Sequence, residues 1–175
     1  MTISAIDSPL GPLIAAATAD ALCRLEFSEP AQVQQRVEIL QARYAQSSSA
    51  SGTGQAGAGK LAQLRVQLRE YFDGVRREFT VPLAYAGTPF QEHVWALLQQ
   101  IRYGESWSYL ELALRAGDRR ATRAVGGANG ANPIAIVIPC HRVVNANGEL
   151  GGYSGGLWRK RILLDLEQGQ RSLGF

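Results

Sequence analysis

A chain of 175 residues, 46% hydrophobic and 19% charged, carries enough apolar side chains for a packed core, which excludes an intrinsically disordered protein. No run approaches the roughly 18 apolar residues of a membrane span, and Met1-Thr2-Ile3-Ser4 lacks the basic and apolar regions of a secretory signal, so a cytoplasmic protein is expected. The net charge of +3 is mild, and two cysteines (Cys23, Cys140) with two histidines (His93, His141) are too few for a disulfide framework or a zinc site, so no metal and no cofactor are expected.

Residues 2–6, 13–18 and 21–27 are short apolar runs divided by the turn signals Ser8-Pro9-Leu10-Gly11-Pro12 and Ala19-Asp20, and they read as strands. Pro30 opens an amphipathic helix through Val33, Val37, Leu40 and Tyr44. From 46 to 59 nearly every residue is Ser, Gly, Ala, Thr or Gln, a composition that buries little and reads as a mobile loop. Leu61, Leu64, Leu68 and Phe72 mark a second helix ending at Gly74, and residues 78–83 read as a further strand. Ala86-Gly87-Thr88-Pro89 reads as a linker, which divides the chain into domains 1–85 and 86–175.

Beyond the linker the text is mostly helical. Thr88 suits the cap of a helix through Phe90, Val94, Trp95, Leu97, Leu98 and Ile101. Ser108 precedes Tyr109, Leu110, Leu112, Ala113 and Leu114, with Gly117 as the stop, and a third helix follows over about 120–128. Two short helices joined by a tight glycine-containing turn predict a helix-turn-helix, with Arg119, Arg120 and Arg123 where a DNA-reading helix carries its basic residues. Between Arg115 and Arg161 stand eight basic residues, seven of them Arg, against only Asp118 and Glu149. Such an excess suits a phosphate backbone, although a solvated basic face gives the same text.

The chemistry concentrates after residues 134–138, an Ile-Ala-Ile-Val-Ile run that reads as buried strand stopped by Pro139. Cys140, His141 and Arg142 follow at once. A base and a cation beside a thiol lower its pKa, so Cys140 reads as a nucleophile. Cys23, inside an apolar run, reads as a core residue. Adjacent side chains on extended backbone point to opposite faces, so a water is expected to bridge Cys140 and His141.

Pro139-Cys140-His141-Arg142-Val143 resembles the active-site signature of the methylated-DNA–protein-cysteine methyltransferases, the alkylguanine-DNA alkyltransferase family. Further segments in order resemble the same family: Tyr103-Gly104, Ser108-Tyr109, Arg123-Ala124-Val125-Gly126-Gly127-Ala128, Asn132-Pro133, Gly152-Tyr153-Ser154-Gly155-Gly156 and Glu167. The resemblance implies an α+β chain, with a ribonuclease-H-like α/β domain followed by a mostly helical, winged helix-turn-helix-like domain. Some family members hold zinc in the first domain, and the required cysteine and histidine set is absent here.

The implied reaction is one irreversible transfer of an alkyl group from the 6-oxygen of guanine, or the 4-oxygen of thymine, in double-stranded DNA to Cys140. The thioether product is stable, so each molecule acts once. By the same resemblance Glu167 orients His141 and Asn132 braces the cysteine turn. Tyr109 assists flipping of the nucleotide and donates to the minor-groove ring nitrogen of guanine, while Arg123 fills the gap left in the stack. Gln91, Leu110, Asp118, Ala124 and Arg142 are implied DNA contacts. Asn129, Val143, Tyr153, Ser154 and Gly155 are implied pocket residues. Trp158-Arg159-Lys160-Arg161 either adds phosphate contacts or opens a surface helix. A monomer is expected, with cooperativity on DNA left open. A non-catalytic relative would carry tryptophan at position 140, a regulator would have no use for the cysteine site, and a Cys-His-Glu hydrolase would leave Arg123 and Tyr109 unexplained.

Overall fold

The computed structural model of the chain describes residues 1–47 and 57–169. The chain divides into two compact units, Met1–Tyr85 and Ala86–Ser172, and both contain helix and sheet, an α+β composition. Among the described residues no helix is long and apolar enough to cross a membrane.

In the first unit β1 (Thr2–Ile6), β2 (Leu13–Ala17) and β3 (Leu22–Phe27) form an antiparallel sheet in the order β1-β2-β3. All five residues of β2 are buried, which is why both of its faces are apolar. A 3-10 turn, Pro30–Gln32, leads into α1 (Val33–Ser47), and α2 (Ala58–Phe72) buries Leu61, Leu64, Leu68, Tyr71 and Phe72. The loop expected over 46–59 gives up both ends to helix, and residues 48–56 lie outside the described residues.

The strand expected over 78–83 does not form. The Gln67 carbonyl accepts from the backbone N–H groups of Thr80 and Val81, and the Gln67 amide donates to the Thr80 hydroxyl at 2.6 Å. Arg76 takes the Glu78 carbonyl, and Pro82 has no N–H to give. With its backbone groups engaged by side chains, the segment makes only a bridge from Leu83 to Leu22.

The second unit opens with α3 (Pro89–Leu98), where Thr88 and Gln91 form a reciprocal capping box. Next come β4 (Trp107–Ser108), α4 (Tyr109–Arg115) under a second capping box from Ser108 and Glu111, a 3-10 turn Arg119–Ala121, and α5 (Thr122–Gly130). The chain then makes a 3-10 turn Cys140–Arg142, β5 (Val143–Val144) and α6 (Leu157–Glu167). Parallel pairing of Trp107 with Val143 and Ser108 with Val144 sets the exit of the cysteine turn beside the start of α4. The Trp95 indole on α3 donates to the Ala128 carbonyl at 2.8 Å, which fixes the end of α5.

Residues 134–138 form turns rather than a strand, despite their β-branched content. Val137 N–H bonds to the Ala135 carbonyl at 2.8 Å around Ile136, whose φ of 70° is unusual for a β-branched side chain. Ile138 N–H returns to the Ile134 carbonyl, and the Asn132 amide takes the Ile138 carbonyl at 2.7 Å. Local bonds and one asparagine thus satisfy a backbone that a ladder would otherwise serve.

Replacing Trp95 with Phe removes the donor to Ala128 within the core and is expected to cost about 1–3 kcal/mol. Urea unfolding should show this as a lower midpoint with an unchanged slope.

Candidate active site

Cys140 is a free, buried thiol at the head of a 3-10 turn. Because the backbone is turned rather than extended here, the alternation expected between Cys140 and His141 does not apply. The thiol is held by Asn132, whose amide nitrogen lies 3.0 Å from Sγ and also donates to the Ile138 carbonyl. The Asn132 carbonyl caps Ile134 N–H at 3.0 Å, so one side chain fixes the turn and the sulfur together.

Burial pushes the Cys140 thiol up to about 11, against the opposing pull of the Asn132 hydrogen bond and the Lys160 charge. The lowered thiol expected from the sequence is therefore corrected: desolvation outweighs the nearby cation. At neutral pH the resting sulfur carries its proton, and a base has to remove it.

His141 follows the thiol in the same turn and is paired with a carboxylate. Its Nε2 lies 2.9 Å from Glu167 Oε1, and Arg142 donates from Nε to Glu167 Oε2 at 2.8 Å and from Nη2 to Oε1 at 2.9 Å. Burial alone would raise the Glu167 carboxyl, but His141 and Arg142 beside it hold it well below the usual carboxylate range. An ionised Glu167 accepts, so the imidazole proton sits on Nε2 and donates to it. Burial lowers the His141 pKa despite Glu167, which keeps the ring neutral. The other nitrogen, Nδ1, is buried with no hydrogen-bond partner among the described residues and remains a free acceptor.

The Tyr109 ring packs against Gly151, where φ is 64° and an added Cβ would lie 2.7 Å from the Tyr109 Cε2. Its hydroxyl donates to the Gly152 carbonyl at 3.3 Å, and burial together with the nearby Cys140 raises its pKa. Asn129 is buried and donates to the Cys140 carbonyl, Val143 is buried in β5, and Tyr153, Ser154 and Gly155 follow in the loop before α6. Tyr109, Leu110, Arg123, Gly126, Asn145 and Gly152 line a groove of about 840 Å³, with Arg123 and Ala124 exposed on α5. Asp118 accepts from Arg120 N–H at the turn before α5.

Three basic residues leave the expected DNA face. Arg142 is buried in its ion pair with Glu167 and also donates to the Ile101 carbonyl at 2.5 Å, so its guanidinium has no free edge for phosphate. Arg159 is buried, with one nitrogen 2.8 Å from the Gly155 carbonyl. Lys160 is fully enclosed and donates to the carbonyls of Val143 at 2.6 Å and Gly152 at 3.1 Å. Burial lowers the Lys160 ammonium to about 8. Gln91 is likewise engaged locally, its side chain accepting from Thr88 N–H. The structural role of Lys160 was missed in the sequence, where it stood among surface charges. Its spacing from Leu163, Leu164 and Glu167 places all four on one helix face, a signal that was available.

Family comparison decides the class. The model of the 6-O-methylguanine DNA methyltransferase DNA-binding domain matches residues 89–169, and that of the ribonuclease-like domain matches residues 1–85. The chain belongs to the 6-O-methylguanine DNA methyltransferase family. A methylated-DNA–protein-cysteine methyltransferase of Mycobacterium leprae is 43% identical over 94% of this chain and 91% of its own length. The constitutive one of Bacillus subtilis is 39% identical over 93% and 92%. Mycobacterium tuberculosis OGT in complex with DNA superposes with a TM-score of 0.79 at 40% identity, covering 99% of this chain and 96% of that one. Among the described residues no group of three or more His, Cys, Asp or Glu side chains could hold a metal.

Because Glu167 ionises at lower pH folded than unfolded, the unfolded chain binds the extra proton below about pH 4, and stability falls there as pH falls. Glu167→Gln should remove that part of the acid dependence and, by stranding Arg142, cost about 3–5 kcal/mol near neutrality. Urea unfolding across about pH 3 to 7 checks both effects.

Proposed function

We propose that Cys140 is the acceptor in a one-step reversal of DNA alkylation, taking the alkyl group from the 6-oxygen of guanine and, on the same geometry, from the 4-oxygen of thymine. Alkyl transfer from DNA to a protein cysteine is the activity that family membership carries. The observation that carries the assignment is the setting of Cys140. A buried free thiol is held by Asn132, one residue from a His141–Glu167 pair whose outer nitrogen is open to accept a proton.

The steps follow from these groups. His141 Nδ1 takes the thiol proton through a bridging water, and Glu167 stabilises the imidazolium that forms. The thiolate attacks the alkyl carbon, the new C–S bond forms as the C–O bond breaks, and the electron pair leaves on the base oxygen. The proton held by His141 returns to the departing base, so no net charge is left behind. Tyr109 turns its hydroxyl from the Gly152 carbonyl to a ring nitrogen of the leaving guanine, where it offsets developing negative charge. The thioether has no base able to reverse it, so the protein is consumed with its product.

The target base has to leave the duplex to reach a buried sulfur. The exposed Arg123 at the groove supplies a long planar cation that stacks and hydrogen-bonds in the gap. Leu110 and Ala124 lie beside it, and Arg119 and Arg120 serve the phosphates. The DNA complex of the Mycobacterium tuberculosis relative supports DNA as the partner. The residues of the site lie within one unit of one chain, which supports action as a monomer, and the free thiols of Cys23 and Cys140 support a reducing, cytoplasmic setting.

Intact mass after incubation with duplex DNA holding 6-O-methylguanine tests the reading directly. One methyl should appear on the Cys140 peptide and the yield should plateau at one per molecule, while Cys140→Ala should gain none. Continued turnover, or a methyl elsewhere, overturns it. Arg123→Ala should slow repair of the duplex by about tenfold to a few hundredfold, the stacking that the arginine restores. Transfer from the free alkylated base, which needs no flipping, should slow far less; single-turnover rates on the two substrates decide.

A further inference from the structure

Asn129 closes the end of α5 with its side chain inside the protein, at 3% exposure. Its amide nitrogen donates to the Cys140 carbonyl at 3.3 Å, which fixes which end of the amide is which. The amide oxygen, Oδ1, is buried and has no hydrogen-bond partner among the described residues. Buried acceptors are rarely left unmet, because the lost hydration is not replaced. The same side chain lies against the Tyr109 hydroxyl. That hydroxyl donates to the Gly152 carbonyl, so its proton is committed elsewhere. A buried side chain that touches both the backbone of the nucleophile and the tyrosine of the groove thus carries an acceptor that meets no donor among the described residues.

The alkylated base supplies one. Alkylation at the 6-oxygen removes the proton from ring nitrogen 1, which leaves nitrogens 1, 3 and 7 all as acceptors. The exocyclic 2-amino group is then the only N–H donor on the base. A 4-alkylated thymine has lost its ring N–H in the same way and has no amino group at all. We infer that Asn129 Oδ1 accepts a hydrogen bond from the exocyclic amine of the flipped guanine and so sets the protein's preference for alkylated guanine over alkylated thymine. This rests on the function proposed above, since it requires the base to enter beside Cys140. The amide then has two tasks: its nitrogen supports the Cys140 carbonyl and its oxygen reads the base.

Single-turnover rates on three duplexes separate the two tasks: 6-O-methylguanine, 6-O-methylhypoxanthine (the same base without the amine) and 4-O-methylthymine. The unaltered protein should favour guanine over hypoxanthine by about 10–100-fold, the effect of one unmet buried acceptor. In Asn129→Leu, which keeps the volume and removes the acceptor, that ratio should fall to within about threefold of one. Asn129→Asp retains an acceptor and should retain the preference, whatever its absolute rates. The guanine-to-thymine ratio should fall in Asn129→Leu by about the same factor as the guanine-to-hypoxanthine ratio.

A ratio near one in the unaltered protein overturns the inference, and that measurement needs no variant to fold. So does an unchanged ratio in Asn129→Leu when all rates drop together, which would leave Asn129 only as support for the Cys140 backbone. Failure of the parent reading looks different: the unaltered protein would then transfer no methyl to Cys140 from any of the three duplexes, and this inference would fall with it.

Discussion

The second unit depends on one buried carboxylate. Glu167 accepts from His141 and twice from Arg142, and its Oε2 lies 3.3 Å from the backbone N–H of Gly104. Three separate stretches of chain therefore meet at two oxygens: the end of α6, the cysteine turn, and the segment before β4. Burying a carboxylate is costly, and it persists here because its charge is matched by Arg142 and its lone pairs are filled. The pairing has two consequences. Arg142 is drawn inward, away from solvent, and His141 is oriented with one nitrogen occupied and the other open.

Around that centre the site is built by side chains that take backbone carbonyls. Asn132 holds Ile138, Asn129 holds Cys140, Arg142 holds Ile101, and Lys160 holds Val143 and Gly152. Each is a buried or half-buried donor in place of a ladder or a water, and together they let irregular backbone sit in a core. The Ile136 conformation shows how far this extends. A β-branched residue at positive φ is disfavoured by its own Cβ, and it is kept by the bonds and packing on either side.

The thiol in this frame is guarded rather than activated at rest. With its pKa pushed up to about 11 by burial, Cys140 exposes almost no thiolate to oxidants or stray electrophiles at neutral pH. In the proposed reaction, proton removal falls to His141, where the Glu167 charge favours the imidazolium and burial opposes it. If Cys140 reacts once, as proposed, a thiol protonated at rest keeps the molecule intact until its substrate arrives.

Much of this was legible in residue order, because the signals concerned are local. The first three strands, the caps at Thr88 and Ser108, the two helices before the cysteine turn and the Pro-Cys-His-Arg signature each follow from neighbours within a few positions. Family membership follows from the same run of motifs. What residue order did not decide was direction, in or out. Arg142, Arg159 and Lys160 read as cations for phosphate and lie inside, since only folding brings Glu167 and unpaired carbonyls to them. Residues 78–83 and 134–138 have β-rich composition and form no strand, since Gln67 and Asn132, 13 and 6 residues away along the chain, take their backbone groups. The sign of the Cys140 shift was decided in the same way: the adjacent cation is visible in sequence, whereas desolvation exists only once the other elements have closed around the sulfur.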